Sequence, residues 1–324
     1  MLFTAGDLAR MRFVVAPMWE VGPSLRLLRS GLPHAVHGPW VEQVRPRLGA
    51  LGPALGLLAD LVPPTGYVPD FLNPAPTGSA PTLAEELAAI RATPAGRARR
   101  DLDRLAAGHG ALGPRLQALY ADPPAGLARL AEAIEAYWEL ALAPYWARIR
   151  AVLDADVLYR ARQAAEHGAA RVLNELHAGL RWTDGALRLG HRARPLNRRT
   201  AGPGLLLIPS AFTGPGLYTL LAPSSPPQLA YPARGIGDLW TTPSAPVGAA
   251  LAAVLGRSRA LLLTELAAPA STTELARRTG LSPSAVSQYL TALRDARLVS
   301  AHRAGRWVLY ARTATAEALL NPPG

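Results

Sequence analysis

The chain has 324 residues, 49% of them hydrophobic and 18% charged, which is enough for two domains, or three, with a substantial buried core. It contains no cysteine, and this excludes disulfide bonds, thiolate metal sites and thiol catalysis. The net charge is +11, and all 34 basic residues are arginine. Exclusive arginine use with abundant Ala, Gly and Pro is typical of a GC-rich genome, but the positive field itself favours a polyanionic partner.

The N-terminal sequence gives no sign of export or of membrane insertion. Asp7, Arg10 and Arg12 lie where a signal peptide needs an apolar run. No window reaches the roughly 18 uninterrupted apolar residues of a membrane span. We therefore expect a soluble, cytoplasmic protein with no membrane partner.

Residues 1–178 show helical patterns. Capping residues predict three helix starts: Thr4 with Asp7, Thr82 with Glu85 as a capping box, and Thr93 before Pro94. Apolar stripes predict two long helices, from Pro124 to Ala143 and from Tyr145 to Ala178.

Strands are predicted over residues 179–240. Asp184-Gly185 lies between two short alternating runs, which indicates a β-hairpin. Two further apolar runs, "GLLLIPS" and "QLAYPARG", are typical of buried strands. The Pro- and Ser-containing stretch 241–248 is predicted to be a linker.

Residues 249–324 follow a compact and regular pattern. Ser258 is predicted to cap one helix, and "STTELARRTG" gives a second helix that ends at Gly280. Ser282 and Pro283 begin a third helix. Two strands around residues 303–306 complete a helix-turn-helix with a wing, and a short helix is expected at 315–320.

The third helix has an unusual polar face. Val286, Leu290 and Leu293 form its apolar stripe, whereas the opposite face carries only small or uncharged side chains. Such side chains let a helix approach base edges in the DNA major groove, where larger groups hold it away. The charge of this segment also favours contact with DNA, because residues 250–324 hold nine arginines against four carboxylates, a net charge of +5 over 75 residues.

Residues 250–320 resemble the ArsR-type winged-helix regulators. The family pattern S-x-x-S-x-H-L-x-x-L-x-x-A-G-L-V is matched by Ser284, Ser287, Leu290, Leu293, Ala296, Leu298 and Val299, and the wing pattern by Arg303, Gly305, Arg306 and Tyr310. Tyr289 replaces the usual His and Arg297 the usual Gly. The rest of the chain resembles the N-terminal domain of large actinobacterial regulators of this type.

The resemblance implies binding to double-stranded DNA. The predicted contact residues lie on the two helices and the wing: Thr273, Ser282, Ser284, Ala285, Ser287, Gln288, Tyr289, Thr291, Arg303 and Arg306. A winged helix used for protein contact is the alternative, and both wing arginines would then only solvate an exposed hairpin. Arg277 and Arg278 either contact phosphate or only complement their helix dipole. The arginine-rich run at 188–199 either extends the DNA surface or is a solvated hairpin end.

Three other kinds of site have less support in the sequence. Family members often sense metals, but their Cys or Asp/His ligands are missing here, and the pair His34 and His37 fits a turn better than a metal site. Ser210 follows a strand without the G-x-S-x-G elbow of a nucleophile. A pocket that holds Ser210 against a His would favour an enzyme. Aromatic residues such as Tyr137 and Trp146 are expected in the core, with a ligand pocket as the alternative.

The sequence therefore predicts an α+β, mostly helical chain that is a transcriptional repressor, without cofactor or catalysis. Residues 1–240 are predicted to form an N-terminal domain (helical over 1–178, β-containing over 179–240), with a linker at 241–248 and a winged helix-turn-helix at 249–324. A homodimer is expected, with most of its interface on the helices between residues 124 and 178. An effector, if one binds, is expected to be a small organic molecule. An architectural DNA-binding protein and an enzyme tethered to DNA are the alternatives.

Overall fold

The computed structural model describes residues 5–183, 186–189, 204–222, 225–240, 249–305 and 307–320. In these parts the α-helices are α1 (Ala5–Ala9), α2 (Met18–Arg29), α3 (Gly38–Val44), α4 (Pro53–Leu61), α5 (Leu83–Arg91), α6 (Ala95–His109), α7 (Pro114–Ala121), α8 (Pro123–Ala141), α9 (Trp146–His167), α10 (Ala169–Leu176), α11 (Ala249–Leu255), α12 (Arg257–Glu265), α13 (Thr272–Thr279), α14 (Pro283–Asp295) and α15 (Ala314–Leu320). Short 3-10 helices occur at Arg45–Leu51, Asp70–Leu72, Ala143–Tyr145 and Ile236–Asp238.

The strands form three small sheets. They are β1 (Arg12–Phe13), β2 (Leu180–Thr183), β3 (Ala186–Leu189), β4 (Leu206–Ser210), β5 (Tyr218–Leu220), β6 (Gln228–Pro232), β7 (Val299–Ala304) and β8 (Trp307–Arg312). One sheet has the order β1-β4-β6-β5, and the pairs β2-β3 and β7-β8 are hairpins. The chain is thus α+β and mostly helical, as predicted.

The chain divides into two compact units that do not follow chain order. The first unit contains Met1–Leu32, Leu57–Ala131 and Val152–Ile236, and the second contains Pro33–Gly56, Glu132–Ala151 and Gly237–Gly324. The winged helix therefore shares a unit with two segments from the N-terminal part of the chain. The predicted linker at 241–248 lies outside the described residues, and the predicted domain boundary stays a prediction.

The first unit is built around its four-stranded sheet. Strands β1, β4 and β6 run parallel, and β5 is an antiparallel edge strand. Leu207 and Leu229 pack on one face with α10, whereas Leu206 and Ile208 pack on the other face with Trp19 of α2. This is why the run around β4 is continuously apolar: both faces of the strand are buried.

The capping residues predicted some helix ends correctly and others wrongly. The capping box of Thr82 and Glu85 is confirmed. Helix α6, however, has Pro94 as its N-cap, one residue later than predicted, and the Thr93 hydroxyl bonds the preceding helix instead. The predicted helix over 145–178 is two helices, because Gly168 has a φ of 81° and interrupts it. Thr4 lies outside the described residues.

The winged helix has a core of its own. Leu262 and Leu263 of α12, Leu275 of α13, the three apolar residues of α14 and Val299 of β7 form one buried cluster. Capping explains the helix-turn-helix: Gly280 ends α13 with a left-handed φ of 72°, and the Ser282 hydroxyl accepts from the Ala285 amide at the start of α14. Ser258 was wrongly predicted as a cap, since Gly256 is the N-cap of α12.

Arg297 carries backbone strain in the turn after α14. Its φ is 57°, and it is the one described non-glycine residue with a positive φ. The Leu298 amide donates to the Leu293 carbonyl at 2.8 Å, the long-range bond of a Schellman turn. An L-residue there costs roughly 1–2 kcal/mol.

We expect Arg297→Gly to stabilise the protein by roughly 0.5–1 kcal/mol, because relief of the strain exceeds the entropy that glycine adds to the unfolded chain. Urea unfolding of the full chain measures the difference. Arg297→Ala removes the same charge but keeps the strain, so it is the control. Equal stabilisation by alanine would mean that charge, and not backbone conformation, causes the effect.

Candidate nucleic-acid interface

The polar face of α14 is open to solvent. Ser284, Ser287, Gln288 and Thr291 are exposed along it. The Thr291 hydroxyl turns back to the Ser287 carbonyl at 3.0 Å, and the Ser284 hydroxyl lies 3.1 Å from that of Ser282. Within the described part of the chain, the Ser287 hydroxyl and the Gln288 amide make no hydrogen bond to protein. These two groups are therefore the best placed to bond an external partner.

Two of the predicted contact residues are only partly exposed. Ala285 and Tyr289 are half-buried, and Tyr289 packs against the winged-helix core. The guanidinium of Arg259 lies 5.5 Å from the centre of the Tyr289 ring. Tyr289 thus stabilises the helix and presents only part of its surface to a ligand.

Helix α13 presents a mixture of small and basic side chains. Thr273, Arg277 and Arg278 are exposed. Ser271 and Glu274 form a capping box at its start, and Arg47 lies 3.9 Å from the Glu274 carboxylate. The position of Arg47 could not be predicted from the sequence, because more than two hundred residues of chain separate it from this helix and no local pattern joins the two.

The wing is the hairpin of β7 and β8. Arg303 is exposed on β7, whereas Arg306 lies outside the described residues. Gly305 turns with a φ of 60°, and a Cβ there would lie 2.8 Å from that of Ala50, so only glycine fits this close approach. His302 links β7 to α8, with Nδ1 3.2 Å from a Glu139 carboxylate oxygen.

One arginine that contributes to the positive net charge, Arg312, stabilises the fold from a buried position. Arg312 is buried and donates to the carbonyls of Leu263 and Thr264, at 2.6 and 2.7 Å. Because these carbonyls end α12, the guanidinium stabilises the helix C-terminus and also pairs with Glu317 at 3.4 Å. Arg312 therefore adds to the net charge of the chain but not to its exposed basic surface.

The histidine pair is part of a turn. His34 Nδ1 accepts from the His37 amide at 3.1 Å, and His37 Nδ1 accepts from the Trp240 indole at 2.9 Å. The residues that the structure describes contain no group of three or more His, Cys, Asp or Glu side chains arranged to hold a metal ion. Of the aromatic residues predicted in the core, Tyr137, Trp138 and Tyr145 are buried, whereas Trp146 is half-buried.

Ser210 faces a carboxylate and not a histidine. It is fully buried, and its hydroxyl donates to Glu20 at 3.1 Å. The same carboxylate accepts from the amides of Ala211 and Phe212. Burial raises the pKa of Glu20 to about 7, although these hydrogen bonds oppose the shift. The arrangement joins α2 to the end of β4.

None of the helices in the described ranges is long and apolar enough to cross a membrane. Exposed hydroxyl and amide groups on α14, flanked by α13 and a basic wing, can donate to and accept from base edges while arginines contact phosphates.

Two family models match parts of the chain. Residues 256–301 match the model described as bacterial regulatory protein, arsR family. Residues 88–237 match a family of unknown function, DUF5937. A search of curated proteins found no match, and a search of solved structures found none either. The first match covers α12, α13, α14 and the start of β7.

Proposed function

We propose that this chain, whose C-terminal segment is an arsR-type winged helix and marks it as a DNA-binding transcriptional regulator, is a repressor that responds to a small organic molecule. The observation that supports specific DNA binding is the exposed, uncharged polar face of α14. Ser284, Ser287 and Gln288 of that face lie in the N-terminal half of the helix, the part that contacts base edges when such a helix enters the major groove.

The contact residues divide by the kind of DNA group they suit. Gln288 suits adenine, since an amide pairs with its N6 and N7 in a bidentate way. Ser284 and Ser287 suit any base edge, and Thr273 and Ser282 suit phosphate oxygens. Arg303 on the wing suits phosphate or the minor groove. Repression follows from the resemblance to arsR-type proteins, because a regulator bound over a promoter excludes polymerase.

A homodimer is proposed because two such helices on one side of DNA span about 34 Å, one helical turn. The prediction that its interface lies on residues 124–178 depended on apolar stripes, and exposed apolar side chains on these helices include Leu158 and Tyr159. Ile149, Leu153, Val172 and Leu173 from the predicted stripes are all buried within the chain itself.

Among the described residues of the winged helix, the large apolar side chains that remain exposed are Val254, Leu261, Trp307, Val308 and Leu319. Val254 and Leu319 lie on α11 and α15, the helices that flank the winged helix. In small arsR-type proteins the helices before and after the winged helix build the dimer. We therefore place the interface on α11 and α15. Sedimentation of the full chain with Val254→Glu and Leu319→Glu together should give monomer, and Leu158→Glu on α9 should leave the dimer. The opposite result would return the interface to the N-terminal helices.

The effector is proposed to be organic, because the sequence lacks the ligand set of metal-sensing relatives. An architectural protein without an effector is the competing function. A single strong footprint near the protein's own promoter supports a regulator, whereas uniform coverage of DNA supports the architectural alternative. Release from the operator by low micromolar zinc, nickel or copper would contradict an organic effector.

We expect Arg303→Ala to weaken binding to every DNA sequence alike and to lower the slope of log affinity against log salt by roughly one unit, because one phosphate contact is lost. Fluorescence anisotropy over a salt series measures both quantities. Arg100→Ala removes the same charge from an exposed position on α6 and is the control. An unchanged affinity and slope in Arg303→Ala would mean that the wing does not contact phosphate.

A further inference from the structure

A cavity of about 350 Å³ lies within the first unit. Its walls come from α2, the segment 66–73, Arg104 of α6 and the edge strand β5. Aromatic rings of Trp19, Tyr67 and Tyr218 line it, together with the guanidinium groups of Arg26 and Arg104. This volume and this mixture of flat apolar surface with a few polar groups are typical of small-molecule sites.

The walls are held in place by hydrogen bonds that do not need a ligand. The Arg26 guanidinium donates to the carbonyls of Pro63 and Gly66, at 2.7 and 2.8 Å, and so fixes the loop to α2. The Trp19 indole donates to the Gln228 side chain at 2.9 Å, which fixes the plane of that ring. The cavity is therefore preformed, and a ligand need not order it.

The electrostatics of the lining favour an anion. Arg26 donates to two backbone carbonyls, which carry no net charge. Burial lowers the pKa of this arginine, whereas its interaction with the Tyr218 side chain opposes the shift. Arg104 lies 3.6 Å from Asp70. The cavity lining thus carries two guanidinium groups and one carboxylate, and an anionic group would balance the excess positive charge of this lining.

An organic cation does not suit the same cavity. The Arg104 guanidinium already covers the Tyr67 ring, 4.1 Å from its centre. A second cation would meet two arginines and find this ring face occupied. An aromatic anion instead stacks its ring on Trp19 or Tyr218 and gives its carboxylate to a guanidinium, a pairing that can be bidentate.

We propose that this cavity is the effector site of the regulator and that it binds an aromatic organic anion such as an aromatic carboxylate. The effector role rests on the function proposed above, but ligand binding in the cavity can be measured without DNA.

Gly22 provides a way to fill the cavity without damaging the fold. It lies on α2 in the cavity wall, and an added Cβ would have no atom within 4 Å. Leucine also favours a helix more than glycine does. Gly22→Leu should therefore fold, occupy the cavity and exclude a ring, whereas Gly22→Ala adds one methyl group and serves as the matched control.

The test is calorimetric titration of the full chain with 2-naphthoate and with its neutral amide, 2-naphthamide. We expect one 2-naphthoate site per chain, roughly tenfold weaker binding in Gly22→Leu and a smaller change in Gly22→Ala. Arg104→Gln, at a largely exposed side chain, should weaken 2-naphthoate but not 2-naphthamide. No binding to the wild type, equal binding to Gly22→Leu, or equal loss of both ligands in Arg104→Gln would overturn the proposal.

Measuring the release of operator DNA distinguishes a failure of the proposed effector site from a failure of the proposed function. The wild type and Gly22→Leu should bind operator DNA equally, but release of Gly22→Leu should need roughly tenfold more 2-naphthoate than release of the wild type. Calorimetric binding without release would show a ligand site that is not the effector site. Failure of the wild type to bind any selected DNA would instead overturn the proposed function and leave the calorimetric result standing.

Discussion

Ser287→Glu is expected to abolish operator binding, with a loss of roughly a hundredfold or more at moderate salt. Ser287 is exposed on the face of α14 that we place against the bases, and a carboxylate there would add both bulk and a charge that DNA repels. The loss should apply to every sequence, because repulsion by phosphates does not depend on the base. Fluorescence anisotropy with labelled duplexes measures it.

Two variants keep this result interpretable. Ala118→Glu places the same charge on an exposed position of α7 and should leave the affinity nearly unchanged. Ser287→Ala removes the hydroxyl without adding charge and should cost much less than Ser287→Glu. Retained operator affinity in a folded Ser287→Glu protein would mean that α14 does not face DNA.

Glu20→Gln is expected to remove much of the fall in stability between pH 5 and pH 8. The pKa of Glu20 rises from 4.5 in the unfolded chain to about 7 in the fold, chiefly because the group is buried. The folded state then binds more protons than the unfolded state. The contribution of this shift to the free energy of unfolding is complete below pH 4.5 and is lost as the pH rises through 7. The full shift corresponds to about 3 kcal/mol.

Glutamine can keep the geometry without the charge. Its carbonyl oxygen, in the place of Oε2, can accept from the Ser210 hydroxyl and from the amides of Ala211 and Phe212, which all bond that oxygen. Urea unfolding at several pH values should therefore show similar stability for both proteins near pH 5 and a more stable Glu20→Gln at pH 8. Glu132→Gln, at an exposed position on α8, is the control. Parallel pH profiles for wild type and Glu20→Gln would show that Glu20 does not titrate in this range.

Local signals explain how much of the winged helix could be predicted. Ser282 with Pro283 fixes the start of α14, and Gly280 fixes the end of α13, because capping depends only on neighbouring residues. The strand β4 was also predictable, since burial on both faces makes the sequence continuously apolar. The short strands β1 and β5 were missed, because two or three residues carry no measurable alternation.

The contacts that complete the site and the fold come from distant parts of the chain. Arg47 lies near Glu274, Glu139 near His302 and Glu20 near Ser210. No periodicity or spacing in the sequence joins such pairs, because they form only when separate segments pack together. For the same reason the sequence does not reveal the role of Arg312. It counts toward the positive charge of the C-terminal segment, but its side chain is bonded to the last turn of α12.

The central claim is that α14 recognises a specific DNA sequence, and selection from a random duplex pool tests it most directly. The full chain should enrich an inverted repeat whose half-sites lie about 10 base pairs apart, with an adenine in each half-site that Gln288 contacts. Gln288→Ala should enrich the same repeat but lose preference at that adenine, a change of about 1–3 kcal/mol per contact. An unchanged motif in Gln288→Ala, or no enriched motif with the wild type, would contradict the account.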